Sequence, residues 1–187
     1  MKKTVLTFGL IAGAILSGVM LVLLPFRDAI GFERGMVVGY TTMVLAFLLV
    51  FFGVRSYRDN VAGGTVSFGR AFTVGALIAL VASLCYVATW ELVYFKLAPD
   101  FATKYQAHMI ERARADGATE AQIAAKQAEM EKFAKMYQNP AINAAITFLE
   151  PLPVALIVAL VSAGVLSRRR KDREGEVGMV PGARVSA

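Results

Sequence analysis

Three long runs without a charged side chain most strongly constrain how this chain can fold. Residues 4–26, 35–54 and 71–90 contain no Asp, Glu, Lys or Arg, and each run has at least 20 residues. About 20 apolar residues in a helix are enough to cross the roughly 30 Å hydrocarbon core of a bilayer. A water-soluble domain would not keep such runs uninterrupted, and 57% of the whole chain is hydrophobic. The runs therefore predict three transmembrane helices.

A fourth apolar segment contains one acid and two prolines near its start: Glu150, Pro151 and Pro153. A proline inside a helix lacks a backbone donor but is tolerated in the first turn, so the break fits a span that begins near Glu150. Backbone groups in lipid must be satisfied within the segment, and the sequence has no alternating strands typical of a barrel, so we predict an all-α membrane protein. The four predicted transmembrane helices lie at about 4–26, 35–54, 71–90 and 147–167.

Charge divides the segments between these spans into two groups. Lys2-Lys3, residues 55–70 and residues 168–187 together carry a net charge of +7, whereas residues 27–34 and residues 91–140 are each neutral. Since Lys and Arg near span ends favour the cytoplasmic side, we predict a multi-pass protein of the inner (cytoplasmic) membrane with both termini in the cytoplasm. Topology explains the basic excess, so no nucleic-acid partner is expected.

The segment between the third and fourth spans has the pattern of two amphipathic helices, at about 99–139. Phe101 and Tyr105 recur four residues apart on one face, and Thr119 with Gln122 forms a predicted capping box for the second helix. This pattern predicts an extracytoplasmic amphipathic helical hairpin that packs against the outer ends of the spans.

Small residues spaced four apart occur in every span, and such residues let transmembrane helices approach closely. They are Gly9, Gly13 and Ser17; Gly35 and Gly39; Gly75, Ala79 and Ser83; and Ala155, Ala159 and Ala163. The pattern predicts a single packed transmembrane domain over residues 1–170 and leaves a homo-oligomer open. Residues 171–187 are predicted to form a disordered basic cytoplasmic tail that contacts lipid.

Two acids near the outer membrane surface are the first candidates for a functional site. Glu91 ends the third span at a depth similar to that of Glu150. In one interpretation Glu150 marks a helix start, where the positive end of the helix dipole stabilises a carboxylate. In the other, the helix is discontinuous, and Glu150, Glu91 and the carbonyls freed by Pro151 and Pro153 bind a cation or relay a proton.

The loop at residues 55–70 is the second candidate. Its paired glycines permit a tight turn with exposed amides, and its arginines could surround an anion such as a lipid phosphate. The alternative is that these arginines only anchor the topology. The candidate contacts for an anionic lipid are Arg55, Arg58, Arg70, Gly63 and Gly64.

Three segments of the sequence are distinctive as a set: FGVRSYRDNVAGGTVSFGRAFTVGALIAL, YVATWE and TFLEPLPVALIVALVSAGVL. In these segments the chain resembles a family of bacterial membrane proteins, the domain of unknown function 4199, and the resemblance extends from Lys3 to about Arg170. It implies a four-span inner-membrane protein of uncharacterised activity. It assigns no role to Arg58, Glu91 or Glu150.

The sequence has no pattern typical of a soluble enzyme. It contains no Ser/His/Asp arrangement, no metal-ligand spacing and no Gly-rich cofactor fingerprint, and His108 is its only histidine. We therefore expect no enzymatic activity, no cofactor and no metal. The preferred hypothesis is an accessory or envelope-associated interaction subunit whose partners are membrane lipids and a second copy or another membrane protein. The alternative is a small oligomeric transporter, or an ion- or proton-coupled carrier, that uses Glu150.

Overall fold

The computed structural model describes residues 1–167, and every secondary-structure element in this part of the chain is helical. The α-helices are α1 (Lys2–Leu23), α2 (Arg27–Asn60), α3 (Phe68–Leu92), α4 (Phe101–Ala115), α5 (Glu120–Tyr137), α6 (Pro140–Leu149) and α7 (Leu152–Leu166). A 3-10 turn at Leu24–Phe26 follows α1, and a π turn at Val93–Leu97 continues α3. The tail predicted for residues 171–187 lies outside the described residues.

Three helical stretches are long and apolar enough to cross a membrane: Lys2–Asn60, Phe68–Leu97 and Pro140–Leu166. The four apolar segments identified in the sequence fall within these stretches to within one residue. The first stretch contains two of those segments, and the others contain one each.

The chain reverses direction within the first stretch. A Cβ atom added to Gly53 of α2 would lie 3.1 Å from the Cβ of Phe8 in α1, whereas a straight helix would hold these residues about 68 Å apart. The 3-10 turn, which contains Pro25, begins the reversal. Gly31 continues it with φ 74° and ψ 166°, a conformation that is essentially restricted to glycine. Helices α1 and α2 therefore lie side by side and antiparallel.

Small residues bring α1 and α3 into close contact. A Cβ atom added to Gly9 would lie 2.7 Å from Val81 Cβ, and one added to Gly13 would lie 2.6 Å from Cys85 Cβ. No larger side chain fits at either glycine without a shift of α3. The predicted use of small residues for packing is confirmed in α1, α3 and α7. Further small residues buried in the bundle are Gly75, Ala79, Ser83, Ala155, Ala159 and Ala163.

The same prediction is wrong for Gly35 and Gly39 of α2 within a single chain. An added Cβ would meet no atom within 4 Å at either position, and most of residues 33–41 are exposed. Helix α2 packs instead through Gly53, where an added Cβ would lie 2.5 Å from Ile78 Cδ1. A four-residue spacing identifies small residues, but it does not say which turns of a helix have a neighbour.

Candidate functional site at the aromatic end of the bundle

Helices α4 and α5 pack against each other and against the end of α3. Helix α3 ends in the π turn, in which Val93 and Tyr94 are buried. Gly117, with φ +81°, lies in the connection between α4 and α5. The capping box of Thr119 and Gln122 is confirmed, because the Thr119 hydroxyl accepts from the Gln122 N–H and the Gln122 side chain accepts from the Thr119 N–H. We call this end of the bundle the aromatic end.

A closed ring of hydrogen bonds joins α5 and α6 at the aromatic end, and a hydrogen bond from Trp90 attaches α3 to it. Trp90 Nε1 donates to the Tyr137 hydroxyl at 3.0 Å, and that hydroxyl lies 2.9 Å from Thr147 Oγ1. Thr147 donates its own proton to Asn143 Oδ1 at 3.2 Å, so Tyr137 is the donor to Thr147. Asn143 Nδ2 completes the ring by donating to the Tyr137 carbonyl at 3.2 Å. Asn143 and Thr147 are 0% and 3% exposed, so the ring satisfies polar groups that water cannot reach.

Glu150 lies in the break between α6 and α7 and is exposed. Its Oε2 accepts a hydrogen bond of 2.9 Å from the Tyr86 hydroxyl of α3. Sequence reasoning expected the Thr147 carbonyl to be free, because Pro151 has no N–H to donate to it. That carbonyl instead accepts a hydrogen bond from the Glu150 N–H at 3.3 Å, so it is not left without a partner. Glu150 and Pro151 both keep right-handed helical angles, so the break is a small offset between two short helices.

Glu91 is the second acid predicted for this site, and no hydrogen bond joins it to Glu150 within residues 1–167. Its Oε1 is buried and has no hydrogen-bond partner among those residues. Burial is the main cause of a raised pKa at Tyr137, and the negative charges of Glu150 and Glu91 add to that rise. Both predicted acids therefore act electrostatically on one aromatic side chain.

The aromatic end also contains an ionic cluster that the sequence did not reveal. Arg27 Nη2 lies 2.6 Å from Asp100 Oδ1, and Lys104 Nζ lies 2.8 Å from Asp28 Oδ2, which ties the turn between α1 and α2 to the start of α4. Hydrogen bonds from Lys104 and Arg27 lower the pKa of Asp100, so it stays ionised at neutral pH. Equal numbers of acids and bases in residues 27–34 and 91–140 were the only sequence signal of this pairing.

A second link between the same two regions strengthens this attachment. Arg112 of α4 lies 3.0 Å from Glu33 of α2. Phe32 packs its ring against three rings of α4, with a centroid distance of 5.2 Å to His108. His108 is thus a packed side chain beside an aromatic ring.

The predicted anion site at residues 55–70 is partly closed by an internal acid. Asp59 lies 2.7 Å from Arg58 and 3.6 Å from Arg55, and the hydrogen bond from Arg58 lowers the pKa of Asp59. Gly63 and Gly64 have φ of 70° and 89°, as the predicted tight turn requires. Arg70 lies in the first turn of α3 and forms no ion pair within the described residues. Arg55, Arg58 and Asp59 all lie in the last turns of α2, so two of the three predicted arginines pair with an acid of their own helix.

The described part of the chain is thus an all-helical protein with three stretches that could cross a membrane and a hydrogen-bonded aromatic cluster at one end. The chain belongs to the family described as Protein of unknown function (DUF4199), whose profile matches residues 7–168. The resemblance noted in the sequence is confirmed. No curated protein and no solved structure matches the chain.

Proposed function

We propose that the protein is a non-enzymatic interaction subunit of a bacterial inner membrane that crosses the bilayer four times, with both termini in the cytoplasm. The turn between α1 and α2 is tied to α4, so the neutral segments lie together at the aromatic end. The basic segments, Lys2-Lys3 and residues 55–70, lie at the opposite ends of the same helices. This separation supports an aromatic end outside and a basic end in the cytoplasm.

The observation that carries the interaction role is the closed interior of the bundle. Apolar side chains of α2 and α3 fill its middle, and a transport pathway would need polar or water-filled space there. Five of these side chains are 0% exposed: Phe47, Val50, Val54, Val74 and Ile78. The described chain therefore offers surfaces to partners and no route through itself. One uncovered surface on a long helix is the first half of α2, around Gly35 and Gly39.

Native mass spectrometry from detergent tests this proposal. We expect a defined assembly, either of several copies of the chain or of this chain with another membrane protein. The Gly35→Leu/Gly39→Leu double variant should remain monomeric yet keep the wild-type thermal midpoint, because added atoms meet nothing within the single chain. Gly18→Leu is the matched control, since Gly18 of α1 is equally open and should leave the assembly intact. A wild-type protein that appears only as a monomer with lipid contradicts the proposal.

A second candidate function is an ion- or proton-coupled carrier centred on Glu150. The observation that favours it is the exposed Glu150 carboxylate, which lies at a proline break and accepts one hydrogen bond, from Tyr86. In this case the pathway would run between copies of the chain. The test is proton and cation flux into proteoliposomes that contain the wild-type protein, Glu150→Gln or Glu91→Gln. Equal flux in all three samples would remove the carrier hypothesis.

A further inference from the structure

A cavity of about 200 Å³ lies at the aromatic end, between α3 and the α4–α5 pair. Its wall is apolar apart from Gln106 and the phenolic oxygens of three tyrosines. For scale, an apolar protein cavity on the order of 150 Å³ holds a molecule of benzene. The space at the aromatic end is therefore large enough for a compact group of about the size of benzene or smaller. The aromatic rings in its wall belong to Trp90, Tyr94, Phe101, Tyr105, Phe133 and Tyr137.

These rings are fixed in place by contacts with one another. The centroids of Trp90 and Phe101 are 5.0 Å apart in an edge-to-face pair, and those of Tyr94 and Tyr137 are 5.2 Å apart in the same arrangement. The polar atoms of Trp90 and Tyr137 are already joined by a hydrogen bond. The wall therefore presents mainly aromatic rings to a ligand, and the faces of such rings carry partial negative charge.

The charges around the cavity favour a cation. No Lys, Arg or His, which would repel a cation, is among its lining residues, and no Asp or Glu is among them either. The negative charges of Glu150 and Glu91 act on Tyr137, which belongs to the wall, and one oxygen of Glu91 is buried without a partner among the described residues. An ammonium with N–H groups would lose hydrogen bonds to water and find few acceptors in this wall. A quaternary ammonium has no N–H to satisfy, and aromatic rings bind it by cation–π attraction.

We propose that this cavity is a binding site for a quaternary ammonium group. Trp90 lies about 33 Å along α3 from Phe68, just beyond the roughly 30 Å of hydrocarbon that a span crosses. If the helices cross the membrane as proposed above, the cavity lies at the level of the lipid headgroups. The ligand is then either a trimethylammonium headgroup or a free organic cation of the same chemistry. The chemistry of the cavity itself does not depend on the interaction role.

The fluorescence of Trp90 provides the test, because it is the only tryptophan in the chain. The full-length protein in a maltoside detergent is titrated with choline and, separately, with 3,3-dimethyl-1-butanol, which has the same shape without the charge. We expect choline to change the emission in a saturable way and the neutral analogue to bind at least tenfold more weakly. Equal binding of both compounds, or no saturable response to choline, would overturn the proposal.

Variants distinguish a loss of choline binding at the cavity from a general loss of stability. Tyr105→Leu should weaken choline binding by about threefold to thirtyfold, the range expected for one cation–π contact. Phe95→Leu is the matched control, because Phe95 is a neighbouring aromatic residue outside the cavity wall and its loss should leave affinity unchanged. Glu91→Gln should weaken choline but not the neutral analogue. Thermal midpoints within about 2 °C of wild type confirm that each variant is folded, and loss of affinity in Phe95→Leu equal to that in Tyr105→Leu would contradict the assignment.

Nanodiscs distinguish the two sources of the ligand. Discs of phosphatidylglycerol with or without phosphatidylcholine are compared by Trp90 emission, and choline is then added to each. If phosphatidylcholine changes the emission and blocks the effect of choline, the ligand is a lipid headgroup. If only free choline acts, the ligand is a soluble cation. A protein that binds choline but forms no assembly in native mass spectrometry would retain this site and lose the interaction role.

Discussion

Gly13→Val is expected to destabilise the protein by about 1–3 kcal/mol, the usual cost of overpacking a tight contact. An added Cβ at Gly13 would lie 2.6 Å from the Cβ of Cys85, and that atom cannot move without shifting α3. For a chain of this size the loss corresponds to roughly 2–12 °C in the thermal midpoint. The measurement is thermal unfolding in detergent, followed by circular dichroism.

The control is Gly18→Val in the same helix. An added Cβ at Gly18 meets no atom within 4 Å, so this variant changes the same residue type without entering the bundle. Its midpoint should stay within about 2 °C of the wild type. Equal destabilisation by the two variants would mean that loss of glycine itself, and not the contact between α1 and α3, determines stability.

Thr147→Val should cost about 1–3 kcal/mol, because it breaks the hydrogen-bond ring while keeping the shape of the side chain. The Tyr137 hydroxyl would lose its acceptor and Asn143 Oδ1 its donor, and Asn143 is 0% exposed, so water cannot replace the bond that Asn143 loses. Trp90 donates to the same hydroxyl, so its emission should shift as well. Thermal unfolding and tryptophan fluorescence measure the two effects.

Thr42→Val is the matched substitution outside the ring. The Thr42 hydroxyl donates only to the Val38 carbonyl of its own helix, at 2.8 Å. Because that carbonyl also takes part in the backbone hydrogen bonding of the helix, it stays satisfied in the variant. The free energy of unfolding should change by less than about 0.5 kcal/mol, with no shift in Trp90 emission. If Thr42→Val and Thr147→Val behave alike, the ring contributes nothing beyond helix propensity.

The sequence predicted the helices well, because the features that define them are local. The uncharged runs have the length that a helix needs to cross a bilayer. The capping box involves only Thr119 and Gln122, which are three residues apart. The close contacts at Gly9 and Gly13 also follow from a local spacing. Each of these signals depends only on residues near one another in the chain.

The parts that the sequence could not reveal depend on pairing between distant segments. Arg27 and Asp100 are separated by 73 positions, and nothing in either segment identifies the other as its partner. The hydrogen bonds from Trp90 to Tyr137 and from Tyr137 to Thr147 likewise join three helices. Gly35 and Gly39 have the same spacing as Gly9 and Gly13, yet only Gly9 and Gly13 contact a neighbouring helix. Spacing within one helix does not contain that information.

For the candidate site, the sequence identified Glu91 and Glu150 but not the side chains around them. Both acids could be identified because they are charged and lie next to proline or tryptophan in the sequence. Tyr86, which donates to Glu150, and Tyr137, whose pKa both acids raise, look like ordinary aromatic residues in the sequence. A tyrosine shows its role only when the fold places its hydroxyl beside an acceptor.

Single-cysteine labelling of intact cells tests the proposed topology most directly. Cys85, the only native cysteine, is first replaced by alanine, which keeps the Cβ that faces Gly13. Cysteine is then placed at Glu129 in α5 or at Val61 in the loop after α2, both exposed positions. We predict that a membrane-impermeant maleimide labels Glu129→Cys in intact cells and labels Val61→Cys only after the cells are permeabilised. Labelling of Val61→Cys in intact cells would contradict the proposed orientation, and labelling of both positions from the same side would contradict the proposed crossing of α3.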